Sequence, residues 1–108
     1  MSVITELHQL TEKMNENPEH IENEKDRIYQ IDLKESGPIQ IILKEGKVHT
    51  EEGISDQAEV TLKLTDQNFS NLLKGTLNTT VAFMTGGLKV EGKMGLALKL
   101  QEIVKKYQ

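Results

Sequence analysis

The side chains that could do chemistry in this chain are three histidines, four serines and two short acidic runs. His8, His20 and His49 lie far apart in the sequence, without a neighbour at the spacing of a metal site. Paired carboxylates that share acid–base work need an apolar environment to separate their pKa values, and neither acidic run, Glu22–Asp26 or Glu51–Glu52, has one. The serines lie in no nucleophile-elbow pattern, and cysteine is absent. We therefore predict no catalytic residue, no metal site and no cofactor.

The most unusual polar side chain is Gln101, because it follows an apolar stretch, GGLKVEGKMGLALKL, over residues 86–100. The periodicity predicts a helix from Met94 to Tyr107. At about 100° per residue, its apolar residues form two adjacent stripes that together span roughly 200°, whereas a surface helix needs only ~100°. The first stripe comprises Leu96, Leu100, Ile103 and Tyr107, and the second comprises Met94, Ala97, Leu98, Gln101 and Val104.

One stripe can pack on a sheet, but the second needs another apolar neighbour. Other helices of the domain, a partner chain and an apolar ligand would each serve. Gln101 lies in the second stripe, where a buried amide needs hydrogen-bond partners. It could bond to a loop, or it could orient the head group of an amphiphile, since apolar pockets usually carry a few placed polar groups. The residues alone leave these alternatives open.

Alternating and helical patterns predict the elements that position this last helix. Strands are expected over residues 27–34, 39–44, 47–52, 58–64 and 88–91, each with one polar face. Helices are expected over residues 2–15, 18–23, 66–74, 78–84 and 94–107. Short turns make the first three strands an antiparallel meander. The order predicts an α+β fold with helices on one face of the sheet and solvent on the other.

Composition limits the possible partners. The chain has 108 residues, which suits one domain over 1–108, and a net charge of −4. It lacks tryptophan, and its longest basic cluster is Lys105–Lys106, so we expect no nucleic-acid partner and no polybasic docking on anionic lipid. Neither a signal peptide nor a membrane-spanning segment is apparent. With no cysteine, these features predict a cytoplasmic protein, bacterial by default.

The carboxyl-terminal third carries a family pattern. The stretches LLKGTLNTTVAF and GGLKVEGKMGLALKLQ resemble the corresponding half of the sterol carrier protein type 2 (SCP-2) domain. The matching positions are Gly75, Leu77, Asn78, Ala82, Phe83, Gly86, Leu88, Lys89, Gly92, Met94, Leu96, Ala97, Lys99 and Leu100. The order of the earlier strands also fits, so the resemblance covers nearly the whole chain.

The resemblance implies a five-stranded, mostly antiparallel sheet covered by helices, with an apolar tunnel between the two layers. It implies non-enzymatic binding of lipids such as fatty acids, acyl-coenzyme A thioesters or sterols, for transfer or for presentation to an enzyme. Three positions depart from the family pattern: Thr79, Gly87 and Lys93. Lys93 replaces a good side-chain cap and puts a positive charge at the start of the last helix, which predicts an easily frayed helix end.

We therefore predict a monomeric lipid-binding protein, with a linear acyl chain as the favoured ligand. The predicted lipid contacts are Leu72, Phe83, Met84, Met94, Ala97, Leu98, Gln101 and Val104. The alternative is an interaction or dimerisation module that buries the second stripe against another chain.

Overall fold

Five strands form one mixed sheet, in the order β3-β2-β1-β4-β5. The computed structural model describes residues 2–108. The strands are β1 (Arg27–Leu33), β2 (Gly37–Lys44), β3 (Lys47–Glu52), β4 (Val60–Leu64) and β5 (Lys89–Gly92). The predicted meander of β1, β2 and β3 is confirmed, and β5 is also antiparallel to its neighbour β4. β4 pairs parallel with β1, so the sheet is mostly antiparallel, as predicted.

Within residues 2–108, four α-helices accompany the sheet. They are α1 (Val3–Glu16), α2 (Asp66–Leu73), α3 (Thr79–Thr85) and α4 (Met94–Lys105). The helix predicted over 18–23 is only a 3₁₀ turn at Pro18–His20. Side-chain oxygens of Ser2, Thr65 and Asn78 cap the first three α-helices by accepting hydrogen bonds from backbone N–H groups. α4 has no such cap at Lys93, which confirms the expectation from its sequence.

The core lies between the helices and one face of the sheet. Alternate residues of the three inner strands turn towards it, as the period of two dictates. They are Tyr29, Ile31, Leu33, Ile39, Ile41, Leu43, Val60, Leu62 and Leu64, all buried. α1 packs against α2 and β3, while α4 packs against α2, α3, β4 and β5. The α+β architecture with helices on one sheet face is therefore confirmed.

The opposite sheet face is less open to solvent than expected. Gln30 and Gln40 point to this face, yet only 2% and 7% of their surfaces are exposed. The amide of Gln30 accepts a hydrogen bond from the N–H of Ser55 at 2.9 Å and donates one to the carbonyl of Gly53 at 3.0 Å. The glutamine thus holds the β3–β4 loop across the sheet, and its own polar atoms are paired.

α4 buries a stripe of ordinary width, which corrects the interpretation of its two apolar stripes. Its buried residues are Ala97, Leu100, Ile103 and Val104, and they fall within an arc of roughly 120° at 3.6 residues per turn. Two of them come from each predicted stripe. The core therefore takes the inner half of both stripes, rather than one stripe whole.

The edge strand β3 is covered by a side chain of α1. Asn15 accepts a hydrogen bond from the N–H of Val48 at 2.9 Å and donates one to the carbonyl of the same residue at 2.7 Å. The amide therefore takes the place that a sixth strand would occupy beside Val48. Exposed sheet edges tend to pair with other chains, and this contact shields one step of the edge.

The other edge strand, β5, ends against the backbone of β4. Gly92 has a φ of 97°, and a Cβ at this position would lie 2.5 Å from the carbonyl oxygen of Glu59. Only glycine fits both the backbone conformation and this close approach. Gly92 is therefore held closely against β4, and α4 begins two residues later from this fixed position.

Candidate functional site

An apolar cavity lies between the helices and the sheet. α1, α2 and α4 cover it, and β2 and β3 form its floor. Its lining comprises Leu7, Leu10, Thr11, Met14, Ile41, Leu43, Val48, Leu72, Leu73, Leu100, Ile103 and Val104. The hydroxyl of Thr11 donates to the carbonyl of His8 at 3.0 Å, so the one polar side chain in the lining is already paired. The cavity can therefore hold apolar groups, but its lining offers a ligand no free hydrogen-bond donor.

The cavity is small in this conformation. Its volume of about 20 Å³ is room for about one water molecule, whereas small-molecule pockets measure roughly 300–1,000 Å³. The apolar layer between helices and sheet is present where the family resemblance expects it. The continuous tunnel is not seen among the described residues, and a chain-length ligand would have to separate the helices from the sheet.

The structure divides the predicted lipid contacts into two groups. Leu72 and Val104 line the cavity, and Ala97 is buried in the core beside it. Met94 is half-buried and packs against the same core. These four residues belong to the layer in which a ligand would lie.

The other apolar contacts predicted from sequence lie at the surface. Phe83 is 46% exposed, Met84 is 78% exposed and Leu98 is 37% exposed, and none of the three lines the cavity. The physical reason is that α3 is short and turns Thr79 and Ala82 inward, which leaves its remaining apolar residues facing out. The expectation that Phe83 and Met84 surround the acyl chain does not fit this arrangement.

Gln101 has a partner within the protein. Its Oε1 accepts a hydrogen bond from the backbone N–H of Thr79 at 3.0 Å. That N–H is at the first residue of α3, where no intrahelical acceptor is available. The amide therefore ties α3 to α4 through its oxygen, and its role in orienting a lipid head group stays a prediction.

Sequence patterns missed a polar pair on β1, the strand next to the cavity floor. Arg27 and Tyr29 lie two residues apart on β1, so both side chains belong to the inward face. In the sheet register Arg27 is opposite Leu43 and Tyr29 is opposite Ile41, and both of these partners line the cavity. The sequence did contain a signal, because Arg27 shares the alternation of Tyr29, Ile31 and Leu33 in RIYQIDL. A charged residue rarely lies on the buried face of a strand.

One polar atom of each residue is buried without a hydrogen bond of acceptable geometry to the described residues, although the Arg27 side chain lies close enough to act on the Tyr29 hydroxyl. Among residues 2–108, neither Nε of Arg27 nor the hydroxyl of Tyr29 has a hydrogen-bond acceptor or donor of acceptable geometry. Burial raises the pKa of the Tyr29 hydroxyl, and the adjacent Arg27 guanidinium offsets part of that rise. The phenol is therefore protonated at neutral pH and can donate a hydrogen bond.

Two carboxylates near Tyr29 are each matched by a lysine. Glu24 and Glu59 both act to raise the pKa of the phenol. Nζ of Lys99 lies 3.2 Å from Glu24, and Nζ of Lys93 lies 3.8 Å from Glu59. The Arg27 guanidinium, in contrast, has no carboxylate at salt-bridge distance among the described residues. It is the cation that acts on the buried hydroxyl of Tyr29.

Two other kinds of site have no structural support within residues 2–108. No helix there has the length and hydropathy needed to cross a bilayer. No three histidine, aspartate or glutamate side chains are grouped so that they could hold a metal ion.

Comparison with known proteins places the chain in a family. The SCP-2 sterol transfer family matches residues 5–105. Hydroxysteroid dehydrogenase-like protein 2 of Xenopus tropicalis is 41% identical over 80 residues, which cover 71% of this chain and 19% of that protein. Sterol carrier protein 2 of Homo sapiens is 38% identical over 61 residues, which cover 56% of this chain and 11% of that protein. The chain therefore spans less than a fifth of the length of these relatives.

The fold has solved counterparts. The sterol carrier protein domain 2 of Helicoverpa armigera superposes with a TM-score of 0.73 at 28% identity, covering 97% of this chain and 87% of that one. Sterol carrier protein 2 of Aedes aegypti, solved in complex with the C16 fatty acid palmitate, gives 0.67 at 19% identity, covering 92% and 94%. From residue 5 to residue 105, therefore, the chain belongs to the SCP-2 sterol transfer family.

Proposed function

We propose that this chain binds a lipid through a single long acyl chain, without catalysing a reaction on it. The observation that carries the proposal is the cavity between the helices and the sheet, whose lining is apolar except for Thr11, a side chain already hydrogen-bonded within α1. Family membership supports lipid binding or transfer in general, and the palmitate complex of the Aedes aegypti protein supports a linear chain as ligand. We place the protein in the cytoplasm as a monomer, with residues 1–108 acting as one lipid-binding unit.

The hydrophobic effect would supply the affinity. Each methylene removed from water contributes about 0.8 kcal/mol, and part of this gain offsets the separation of the helices from the sheet. Met14 lines the cavity and can change rotamer to follow the ligand. α4 lacks a side-chain cap at Lys93, so its first turn is the easiest part of the helical layer over the cavity to displace. Leu72, Val104, Ala97 and Met94 are the proposed chain contacts.

Lipid content and uptake test the proposal directly. Native mass spectrometry of gently purified protein is expected to show a co-purified lipid, and a fluorescent fatty acid is expected to bind with one-to-one stoichiometry. Val104→Phe fills the cavity and should abolish uptake. Leu98→Phe, on the exposed side of the same helix, is the matched control and should leave uptake unchanged.

Several results would contradict the proposal. One is wild-type protein that carries no lipid and takes up no fatty acid. Another is a Val104→Phe variant that is folded by circular dichroism and binds lipid as well as the Leu98→Phe control does. Because overpacking a core costs roughly 1–3 kcal/mol, the unfolding curve of Val104→Phe must be recorded alongside its binding curve.

The second candidate, an interaction module, rests on the exposed apolar residues of α3 and α4. Val81, Phe83, Met84 and Leu98 are 52%, 46%, 78% and 37% exposed. Val104 is buried, so it cannot belong to such an interface, and Leu98→Asp is the informative variant. This function predicts a dimer in sedimentation experiments that forms with rising concentration and is lost in Leu98→Asp. A monomer at all concentrations contradicts it.

A further inference from the structure

We propose that Arg27 and Tyr29 form a carboxylate-binding site at the edge of the cavity, which makes a free fatty acid the ligand. This inference rests on the proposed lipid-binding function and specifies its ligand. Neither Gln101 nor the exposed residues of α3 take part in it. The acyl chain would lie against the cavity lining, and its carboxylate would meet the two side chains on β1.

The register of the sheet supplies the geometry. Directly opposed residues in an antiparallel pair have Cβ atoms roughly 4.5–5.5 Å apart. Arg27 faces Leu43 and Tyr29 faces Ile41 in this way, and both opposed residues line the cavity. A chain that fills the cavity therefore lies one strand away from β1, and a terminal group placed beside Leu43 or Ile41 would come within reach of the polar pair.

The buried donors supply the chemistry. Tyr29 is 0% exposed, and its hydroxyl has no partner in the described part of the chain. Nε of Arg27 is also buried without a hydrogen-bond partner in that part of the chain. Buried polar groups are nearly always hydrogen-bonded in folded proteins. The Arg27 side chain lies close enough to act on the Tyr29 oxygen, yet neither Nε nor the hydroxyl makes a hydrogen bond of acceptable geometry within residues 2–108, so both can turn to an added acceptor. A carboxylate has two oxygens that accept, one for each donor.

The charges favour an ionised head group over a neutral one. Glu24 and Glu59, the carboxylates that act on Tyr29, lie within 4 Å of Lys99 and Lys93 respectively. The guanidinium of Arg27 retains its charge, and a fatty acid carboxylate would neutralise it through a charge-assisted hydrogen bond. A sterol hydroxyl or a thioester carbonyl would leave that positive charge unmatched.

Two substitutions test the site with little change of shape. Tyr29→Phe removes one unpaired hydroxyl, and Arg27→Met removes the charge but keeps a long side chain. Tyr107→Phe is the matched control, because its hydroxyl donates to the carbonyl of Asn17 at 2.7 Å, away from the cavity lining. Dissociation constants for palmitate and for 1-hexadecanol, a neutral molecule with the same chain length, would be measured for wild type and each variant.

The expected result is a loss of preference for the acid. Wild type should bind palmitate more tightly than hexadecanol. Hydrogen bonds to charged groups contribute enough that Tyr29→Phe and Arg27→Met should each weaken palmitate binding by about ten- to hundredfold. Hexadecanol binding should change by less than about twofold, and Tyr107→Phe should keep the wild-type ratio of the two affinities. Tyr29→Phe should unfold no more easily than wild type, since it loses an unpaired group.

Other outcomes overturn the inference and separate it from the proposed function. If wild type and both variants bind palmitate and hexadecanol with the same affinity ratio, the carboxylate site is refuted and lipid binding stands. If the variants lose both ligands equally, the residues are structural and the site is again refuted. If wild type binds neither ligand, the proposed function fails and this inference fails with it.

Discussion

Replacing Gly92 with alanine should destabilise the protein strongly, because two independent costs coincide there. A non-glycine residue at positive φ costs about 1–2 kcal/mol. The new Cβ would also lie 2.5 Å from the carbonyl oxygen of Glu59 and 3.2 Å from Cα of Val60, both of which are backbone atoms of the adjoining chain. Relieving that contact requires β5 to move, so we expect a total loss of roughly 2–4 kcal/mol in the free energy of unfolding.

Urea unfolding, followed by circular dichroism, measures this loss. With a slope of about 2 kcal/mol per molar urea, the midpoint should fall by roughly 1–2 M. Gly95→Ala is the matched control, since Gly95 lies in the first turn of α4 with nothing within 4 Å of a Cβ. That control should gain about 0.5 kcal/mol from helix propensity.

The pair of variants can refute the reasoning. A Gly92→Ala protein that unfolds within about 0.5 kcal/mol of wild type would mean that β5 is not fixed against the backbone of β4. The start of α4 would then be loosely anchored, and Gly92 would not be the fixed point from which α4 begins.

Three further perturbations probe the cap, the edge and one carboxylate. Lys93→Asp supplies the missing cap and should stabilise α4 by up to ~1 kcal/mol, even though the exposed 3.8 Å ion pair with Glu59 is lost. The expected results are a higher melting temperature and a slower release of bound lipid. Asn15→Ala leaves both backbone groups of Val48 without their side-chain partner and should cost about 1–3 kcal/mol, with a greater tendency to aggregate seen by light scattering. Burial alone would raise the pKa of Asp66, but hydrogen bonds from the β1–β2 turn outweigh it and hold the pKa below its ordinary value. The contribution of Asp66 to the free energy of unfolding is therefore fully present above pH ~5 and is lost as the pH falls through the depressed pKa. Asp66→Asn should make the free energy of unfolding fall less steeply at acid pH. An unchanged pH dependence would contradict the assignment.

The sequence predicted the architecture well because each strand carries a clear local pattern. Tyr29, Ile31 and Leu33 alternate with polar residues, and turn residues separate the strands. The parallel pairing of β1 with β4 could not be predicted, since it joins segments that the β2–β3 hairpin separates along the chain. Local periodicity defines which residues share a face, but it does not define which strands are neighbours.

The candidate site was predicted only in part, for a physical reason. Leu72 and Val104 were identified because apolar residues at helical spacing must face the core. Phe83 and Met84 lie at the surface here, because a short helix can expose most of its apolar side chains, and their contact with lipid stays a prediction. Arg27 was overlooked because charge is normally a sign of exposure, whereas here its Nε is enclosed beside Tyr29.

If the chain binds lipid as proposed, the amide of Asn15 would couple lipid uptake to the integrity of the sheet. α1 both covers the cavity and, through this one side chain, pairs with Val48 on the open edge of β3. If α1 lifts to admit a ligand, the same movement removes that pairing and presents an unpaired strand edge to other molecules. Lipid loading would then expose the edge of β3 to self-association, and a bound lipid that allowed α1 to close again would protect the protein from it.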